Sequence, residues 1–253
     1  IDPASEVSES YRSLRTAVYF GGSNGRARTI LVTSPERGDG KTTVTSNLAI
    51  SMAQAGERVL LIDADLLAPM QDMIFQINGR TGLANVLNGK ESLESAVRRT
   101  GVEGLELLPA GVAARNPSEV LNSQAFIDLL EELAEKYDRV IIDSPPLLAV
   151  TDARIIAASS DATVLVLRAG KSNRKLSEVS LDGLGSVGAK VLGVVVNDVR
   201  RRGGYQQYGY YGRYGYGNGA ANDRAALAAG DGAKEFATAE SEGSLRARNR
   251  LTN

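Results

Sequence analysis

Between Ser5 and Val199 the chain switches repeatedly between two hydrophobic rhythms. Ser5 to Phe20 places Val7, Tyr11, Leu14 and Val18 three or four residues apart, which is one apolar stripe of a helix. Glu9, Arg12 and Arg15 make a second, charged stripe on the same segment. TILVTS, Thr29 to Ser34, is short, β-branched and almost continuously apolar, which predicts a strand buried on both faces. The same reading gives strands at RVLLIDAD (58–65), LELLPAG (105–111), DRVIIDSPP (138–146), ATVLVLRAG (162–170) and AKVLGVVVND (189–198). Helices are expected from about Lys41 to Gln54, with Gly56 as the stop, and at Leu83–Leu87, Leu93–Val97, Asp152–Ala158 and Leu176–Leu184. One long amphipathic helix is expected from Pro117, near its first turn, to Tyr137. Helices alternating with near-continuous apolar strands predict an α/β fold, a mainly parallel central sheet with helices on both faces.

After Val199 this pattern ends. Six of the nine tyrosines fall at Tyr205, Tyr208, Tyr210, Tyr211, Tyr214 and Tyr216, spaced mainly by Gly, Gln and Asn. Low complexity and weak apolar periodicity predict a flexible tail over 200–253, with a transient helix near Asp223 to Ala229. The expected division is therefore 1–24, a helix and a joint at GGSNGRA; 25–199, the folded domain; and 200–253, the tail.

Composition narrows the chemistry. The 253 residues are 43% apolar, enough for one large core with extensions. Cys and His are both absent, which removes thiolate chemistry, the commonest zinc ligand and the commonest general base. Any metal should be a hard cation held by oxygens, with Mg2+ the expectation. A net charge of −1 gives no basic footprint, so no nucleic acid is expected as a partner. No run is long and apolar enough for a spanning helix. The opening IDPASEV has no initiating Met, as expected of a piece of a longer protein.

The residues with chemistry gather at strand ends. PERGDGKTT joins the first strand to the helix at Lys41. Gly38 and Gly40 allow a tight path around Asp39 that turns backbone N–H groups toward a phosphate. The helix adds its positive end. Lys41 is placed to reach the β and γ phosphates of a nucleotide, Thr42 to ligate Mg2+, and Thr43 completes the loop. Pro35 stands where the common phosphate-loop pattern has its first Gly. Asp63 and Asp143 close two further strands, with Asp65 two residues beyond Asp63. Ligands in open α/β sheets bind beyond such strand ends, and a strand-end Asp near a phosphate loop commonly holds Mg2+ or its water. Capping of the next helix is the competing reading for each Asp alone. Ser144-Pro145-Pro146 should stiffen the segment facing the γ phosphate.

Strands ending in GKTT, DAD and DSPP resemble the deviant Walker ATPases, and among them the bacterial tyrosine kinases of exopolysaccharide and capsule synthesis. The resemblance runs from Ser5 to Tyr216 and includes ESYRSLRT, VLLIDADLLAP, GLANVLNG, NPSEVL, VIIDSPPLLAVTDA, GVVVND and the tyrosine cluster. It implies a P-loop fold like that of the partitioning and division-site ATPases, ATP and Mg2+ as cofactors, and phosphoryl transfer to tyrosine. It implies that Lys41, Asp63 and Asp65 are catalytic, that Thr42, Asp63 and Asp143 form the metal shell, and that Asn197 lies beside the adenine. Glu9, Arg12 and Arg15 match an assembly motif, implying a closed, ring-like homo-oligomer, with an octamer as the family expectation. A membrane-spanning polysaccharide co-polymerase, fused or separate, is implied as activator, together with a counteracting tyrosine phosphatase. The expected location is cytoplasmic, at the inner face of the cell membrane, either alone or as the cytoplasmic domain of a longer membrane protein. The chain departs from the pattern at Leu67 and Ala68, where such proteins usually carry basic side chains.

The tail tyrosines are then the expected phosphoacceptors of an autokinase that regulates polymer assembly and export through cyclic phosphorylation. Two other functions compete. A partitioning-type ATPase dimer would carry a lysine early in the phosphate loop, where this chain has Glu36 and Arg37. A nucleotide-gated scaffold would bind ATP without phosphorylating its tyrosines. An aromatic platform for nucleic acid, using Arg201, Arg202 and Arg213, is disfavoured by the overall charge.

Overall fold

A computed structural model describes residues 5–21, 27–112 and 116–199. The tyrosine cluster and the rest of 200–253 lie outside the described residues, as does most of the expected joint. In chain order the elements are α1 (Glu6–Gly21), β1 (Thr29–Thr33), α2 (Lys41–Ala53), β2 (Val59–Asp63), α3 (Gln71–Ile74), α4 (Leu83–Leu87), α5 (Leu93–Ala96), β3 (Arg98–Arg99), β4 (Leu105–Leu108), α6 (Pro117–Leu121), α7 (Gln124–Lys136), β5 (Arg139–Asp143), α8 (Asp152–Ala158), β6 (Ala162–Arg168), α9 (Arg174–Ser186) and β7 (Val191–Asn197). Among the described residues no helix is long and apolar enough to cross a membrane.

The sheet has the order β3-β4-β2-β5-β1-β6-β7. All pairings are parallel except β3 with β4. The continuous apolar strands have the expected cause. Leu31, Leu60, Ile62, Val140, Ile142 and Leu165 face one core layer, under α4 to α9. Their neighbours Ile30, Val32, Leu61, Ile141, Val164 and Val166 face the other, under α1 and α2. Strand residues alternate sides, so a strand buried on both faces has no polar position to spare. Helix α1 joins the second layer through Val18, with Tyr11 and Leu14 packed beside it.

Three expectations need correction. The single helix to Tyr137 is two helices, α6 and α7, broken at Asn122 and Ser123. Ser123 adopts extended angles (φ −92°, ψ 154°), and its hydroxyl donates to Val120 O at 2.7 Å. Asn and Ser compete with the helix for backbone hydrogen bonds, and here that competition outweighs the apolar periodicity. The pattern also missed α3 and β3, which are four and two residues long and too short to show a period. Lastly, β7 is only partly covered: Val191 packs against the first core layer and Leu192 and Val195 against the second, beside α1, while Val194 and Val196 are exposed.

Candidate functional site

Parallel pairing delivers the ends of β1, β2, β5, β6 and β7 to one edge of the sheet. Asp63 and Asp143 are direct register partners on adjacent strands. Val32, one residue before the end of β1, pairs with Asp143. The loop from Ser34 to Gly40 therefore starts beside both carboxylates, where β1 lies between β5 and β6. The Ser144–Pro146 segment runs along that loop. Leu147 N donates to Ser34 O at 2.8 Å and Leu148 N to Pro35 O at 3.2 Å.

Gly38 and Gly40 hold left-handed backbone, with φ of 82° and 94°. Gly40 is the residue immediately before α2, and a Cβ there would stand 2.0 Å from Asn197 Nδ2. Only glycine satisfies both limits. Thr43 is exposed on the first turn of α2. Lys41 turns back over the loop, its Nζ lying 3.1 Å from Thr42 Oγ1, 3.1 Å from Asp65 Oδ2 and 3.8 Å from Asp143 Oδ1. Asp65 also accepts from Ala68 N at 3.0 Å through its other oxygen. The backbone of residue 68 makes this contact, so the loss of a basic side chain there does not remove it. Leu67 points outward and is 57% exposed.

Asp63 is fully buried. It accepts from Met70 N at 3.0 Å and Gln71 N at 2.9 Å through one oxygen, and from Asp65 N at 3.2 Å through the other. Burial, and then the charge of Asp143, push its pKa up to about 7 against these three donors. Asp143 is also raised by burial, opposed by the Lys41 charge and by hydrogen bonds from Gln71 and Thr42. Two buried carboxylates side by side thus titrate as a pair, and a cation between them and the loop would relieve both. Gln71 Nε2 donates to Asp143 Oδ2 at 2.9 Å, while Ser46 Oγ donates to Gln71 Oε1 at 2.8 Å. Thr45 Oγ1 lies 3.4 Å from Asp143 Oδ1. Sequence reasoning missed Gln71, Thr45 and Ser46. No local signal marks Gln71, because α3, which it opens, is only four residues long.

Asn197, expected beside a base, is set against the loop, its Nδ2 donating to Asp39 O at 3.1 Å. Glu9 and Arg12 pair with each other on α1 at 2.7 Å. Arg15 reaches the neighbouring helix, Nη1 donating to Ser51 O near the end of α2 at 2.5 Å. Among the described residues no group of three or more acidic side chains could by itself hold a metal ion. Thr42, Asp63 and Asp143 stand together at the sheet edge, and Mg2+ in a nucleotide site takes one or two such protein ligands with phosphate oxygens and water. The donors present, one hydroxyl and two carboxylates, are of the right hardness.

A family model described as an AAA domain matches residues 27–186. The chain is 37% identical over 211 residues to tyrosine-protein kinase YwqD of Bacillus subtilis, covering 83% of this chain and 89% of that protein. It is 42% identical over 193 residues to tyrosine-protein kinase ptk of Acinetobacter johnsonii, covering 76% of this chain but only 26% of that longer protein. The kinase domain of Escherichia coli tyrosine kinase ETK superposes with a TM-score of 0.77 at 34% identity, covering 83% of this chain and 82% of that one. The septum site-determining protein MinD of Pyrococcus horikoshii, solved with Mg-ADP, gives a TM-score of 0.60 at 27% identity, covering 70% and 72%.

Proposed function

Because the chain belongs to the bacterial tyrosine kinase family of P-loop ATPases, we propose that it transfers the γ-phosphoryl group of ATP to tyrosines of its own tail, Tyr205 to Tyr216. The supporting observation is the convergence of Lys41, Thr42, Asp65 and the Asp63–Asp143 pair at one sheet edge, beside a glycine loop and a helix N-terminus. The Mg-ADP bound by the MinD relative supports the same nucleotide and metal here. Mg2+, when bound, supplies positive charge against the phosphate oxygens, held by the Thr42 hydroxyl and by Asp63 and Asp143.

In this reading Lys41 leaves Asp65 for the β and γ phosphates and stabilises the charge that spreads over the transferring group. The phenol oxygen forms a bond to the γ phosphorus while the bond to the β–γ bridging oxygen breaks, and ADP departs with that electron pair. The phenol proton passes to Asp63, the carboxylate at the tip of β2. Asp63 lies beneath the Met70–Gln71 backbone, so transfer requires that clip to lift. Asp65, released from Lys41, orients the acceptor.

The same reading places the protein at the inner face of the cell membrane. It assembles as a closed ring through α1, is activated by a membrane-spanning co-polymerase partner and is reversed by a tyrosine phosphatase. Cyclic phosphorylation of the tail then regulates polysaccharide assembly and export. The test is a phosphotyrosine blot of the purified full chain with ATP and Mg2+, with the activator fragment supplied. Rising signal is expected. Nucleotide binding with no phosphotyrosine defeats the transfer step and favours an ATPase dimer or scaffold.

A further inference from the structure

Three consecutive carbonyls of the phosphate loop are held from outside it. Arg37 O accepts from Lys171 Nζ at 2.5 Å, Gly38 O from Arg168 Nη1 at 3.0 Å and Asp39 O from Asn197 Nδ2 at 3.1 Å. None of these donors belongs to β1 or α2, the elements that the loop joins. They come from the end of β6, the turn after it and the end of β7. In a planar trans peptide the carbonyl and the following N–H point in opposite directions. Holding the carbonyls of Arg37, Gly38 and Asp39 outward therefore sends the N–H groups of Gly38, Asp39 and Gly40 to the other side. That is how a nest for an anion is made. Glycine permits this path but does not select it, since it is the most permissive residue. The selection has to come from contacts, and these are the contacts.

Lys171 makes a second one. Its Nζ lies 3.1 Å from Asp39 Oδ1. The Asp39 carboxylate is buried, and its other oxygen accepts from Glu36 N at 3.0 Å. One ammonium thus fixes both a side chain and a carbonyl of the loop. A tight turn holds Lys171 in place: Arg168 N donates to Ser172 Oγ at 2.7 Å, and Ser172 N returns to Arg168 O at 2.9 Å. Arg168 faces two ways. While Nη1 holds the loop, Nε and Nη2 donate to Asp198 Oδ2 at 3.0 and 2.9 Å. Asp198 immediately follows β7, two residues before the tail begins.

We propose that Lys171 and Arg168 are positioning residues of the nucleotide site, setting the loop's N–H groups for the phosphates and tying that setting to Asp198 at the root of the tail. The proposal rests on the nucleotide-site reading above. It assigns function to two cations that lie about 130 residues beyond the loop and belong to no motif.

The test uses the full chain. Lys171→Met should weaken ADP binding, measured by titration calorimetry, by about tenfold, the worth of one charge-assisted contact. The ATP KM should rise similarly while kcat stays within about twofold, because the nest contacts the phosphates before as well as during transfer. Lys171→Arg should restore most of the affinity. Lys171→Met combined with Asp39→Asn should cost less than the sum of the two single changes, as for a pair in direct contact. Arg168→Gln gives an independent variant, expected to lose about threefold in ADP affinity. Melting without nucleotide separates these effects from loss of fold. Unchanged ADP affinity in both folded variants, or strict additivity in the cycle, overturns the clamp while leaving the kinase reading standing. A wild-type chain that binds no ADP overturns both.

Discussion

The ammonium of Lys41 meets the carboxylate of Asp65 at 3.1 Å, joining the first turn of α2 to the loop after β2. Both side chains are largely enclosed, so the pair is only weakly screened by solvent. The same ammonium lowers the proton affinity of Asp143, 3.8 Å away. Lys41→Met keeps the stem and deletes the charge. Phosphotyrosine should fall by at least about a hundredfold, the scale for losing one transition-state contact, while circular dichroism remains that of the folded domain. Autophosphorylation at the wild-type rate in the purified variant would remove Lys41 from the mechanism.

The Asp63–Asp143 pair gives a pH dependence with a definite sign. Burial and Asp143 lift the Asp63 pKa to about 7, whereas in the unfolded chain it titrates near the ordinary ~3.9. Between these values the folded protein holds more protons than the unfolded one. The contribution to stability is thus fully present below about pH 4 and is lost as pH rises through about 7. In buffer free of metal and nucleotide, the melting temperature should fall between about pH 5 and pH 8. Asp63→Asn keeps an acceptor for Met70 and Gln71 without the titration, and its fall should be smaller by roughly 5 °C or more. Parallel curves for the two proteins would return Asp63 to an ordinary carboxylate.

Apart from β3, the strands were legible because each is a nearly unbroken apolar run, and in β1, β2 and β5 burial on both faces demands that. Ile30, Leu31 and Val32 divide between two cores with no exception to confuse the reading. The places of Lys41, Asp63 and Asp143 were legible too, since parallel strands must end at one edge. What sequence could not supply was anything decided by neighbours in space. Lys171 and Arg168 reach the phosphate loop across about 130 residues, and Gln71 reaches Asp143 across 72. No local period marks such residues. The contact of Arg15 with the Ser51 carbonyl escaped for the same reason, since three-residue spacing shows only that it lies on a charged stripe.

Phosphate should concentrate on Tyr205 to Tyr216, and the folded domain offers a contrast. Tyr137 is buried, and its hydroxyl donates to Glu106 Oε2 at 2.6 Å, which together hold its proton well above the ordinary range. Burial and Glu57 push Tyr19 up to about 12. Neither hydroxyl can enter another site without breaking its own packing. Each phosphate adds roughly −1.5 to −2 charges, so several within the cluster would repel one another and the acidic edge of a site. Mass-spectrometric mapping after reaction should find little at Tyr137 and Tyr19. Phosphate chiefly at Tyr11, Tyr19 or Tyr137 would give the cluster another use.

The two arginines of α1 should separate, although both match one assembly motif. Arg15 holds the α2 backbone at Ser51 O, and its replacement by Ala should cost about 2 kcal/mol, read as a melting point lower by several degrees. Arg12 is paired with Glu9 on an exposed helix face. Arg12→Ala should cost less stability than Arg15→Ala, since the Glu9–Arg12 pair is a surface ion pair. If α1 builds the ring, Arg12 offers a planar guanidinium suited to a neighbour's carboxylate. Arg12→Ala should then shift unphosphorylated protein from a large species toward monomer at constant melting temperature, and phosphorylation between chains should fall at equal protein concentration. Light scattering coupled to gel filtration decides it. An unchanged large species in Arg12→Ala, with dissociation only in the destabilised Arg15→Ala, would make the helix a brace for α2 rather than a ring contact. A wild-type dimer that forms only with nucleotide would point instead to face-to-face pairing across ATP.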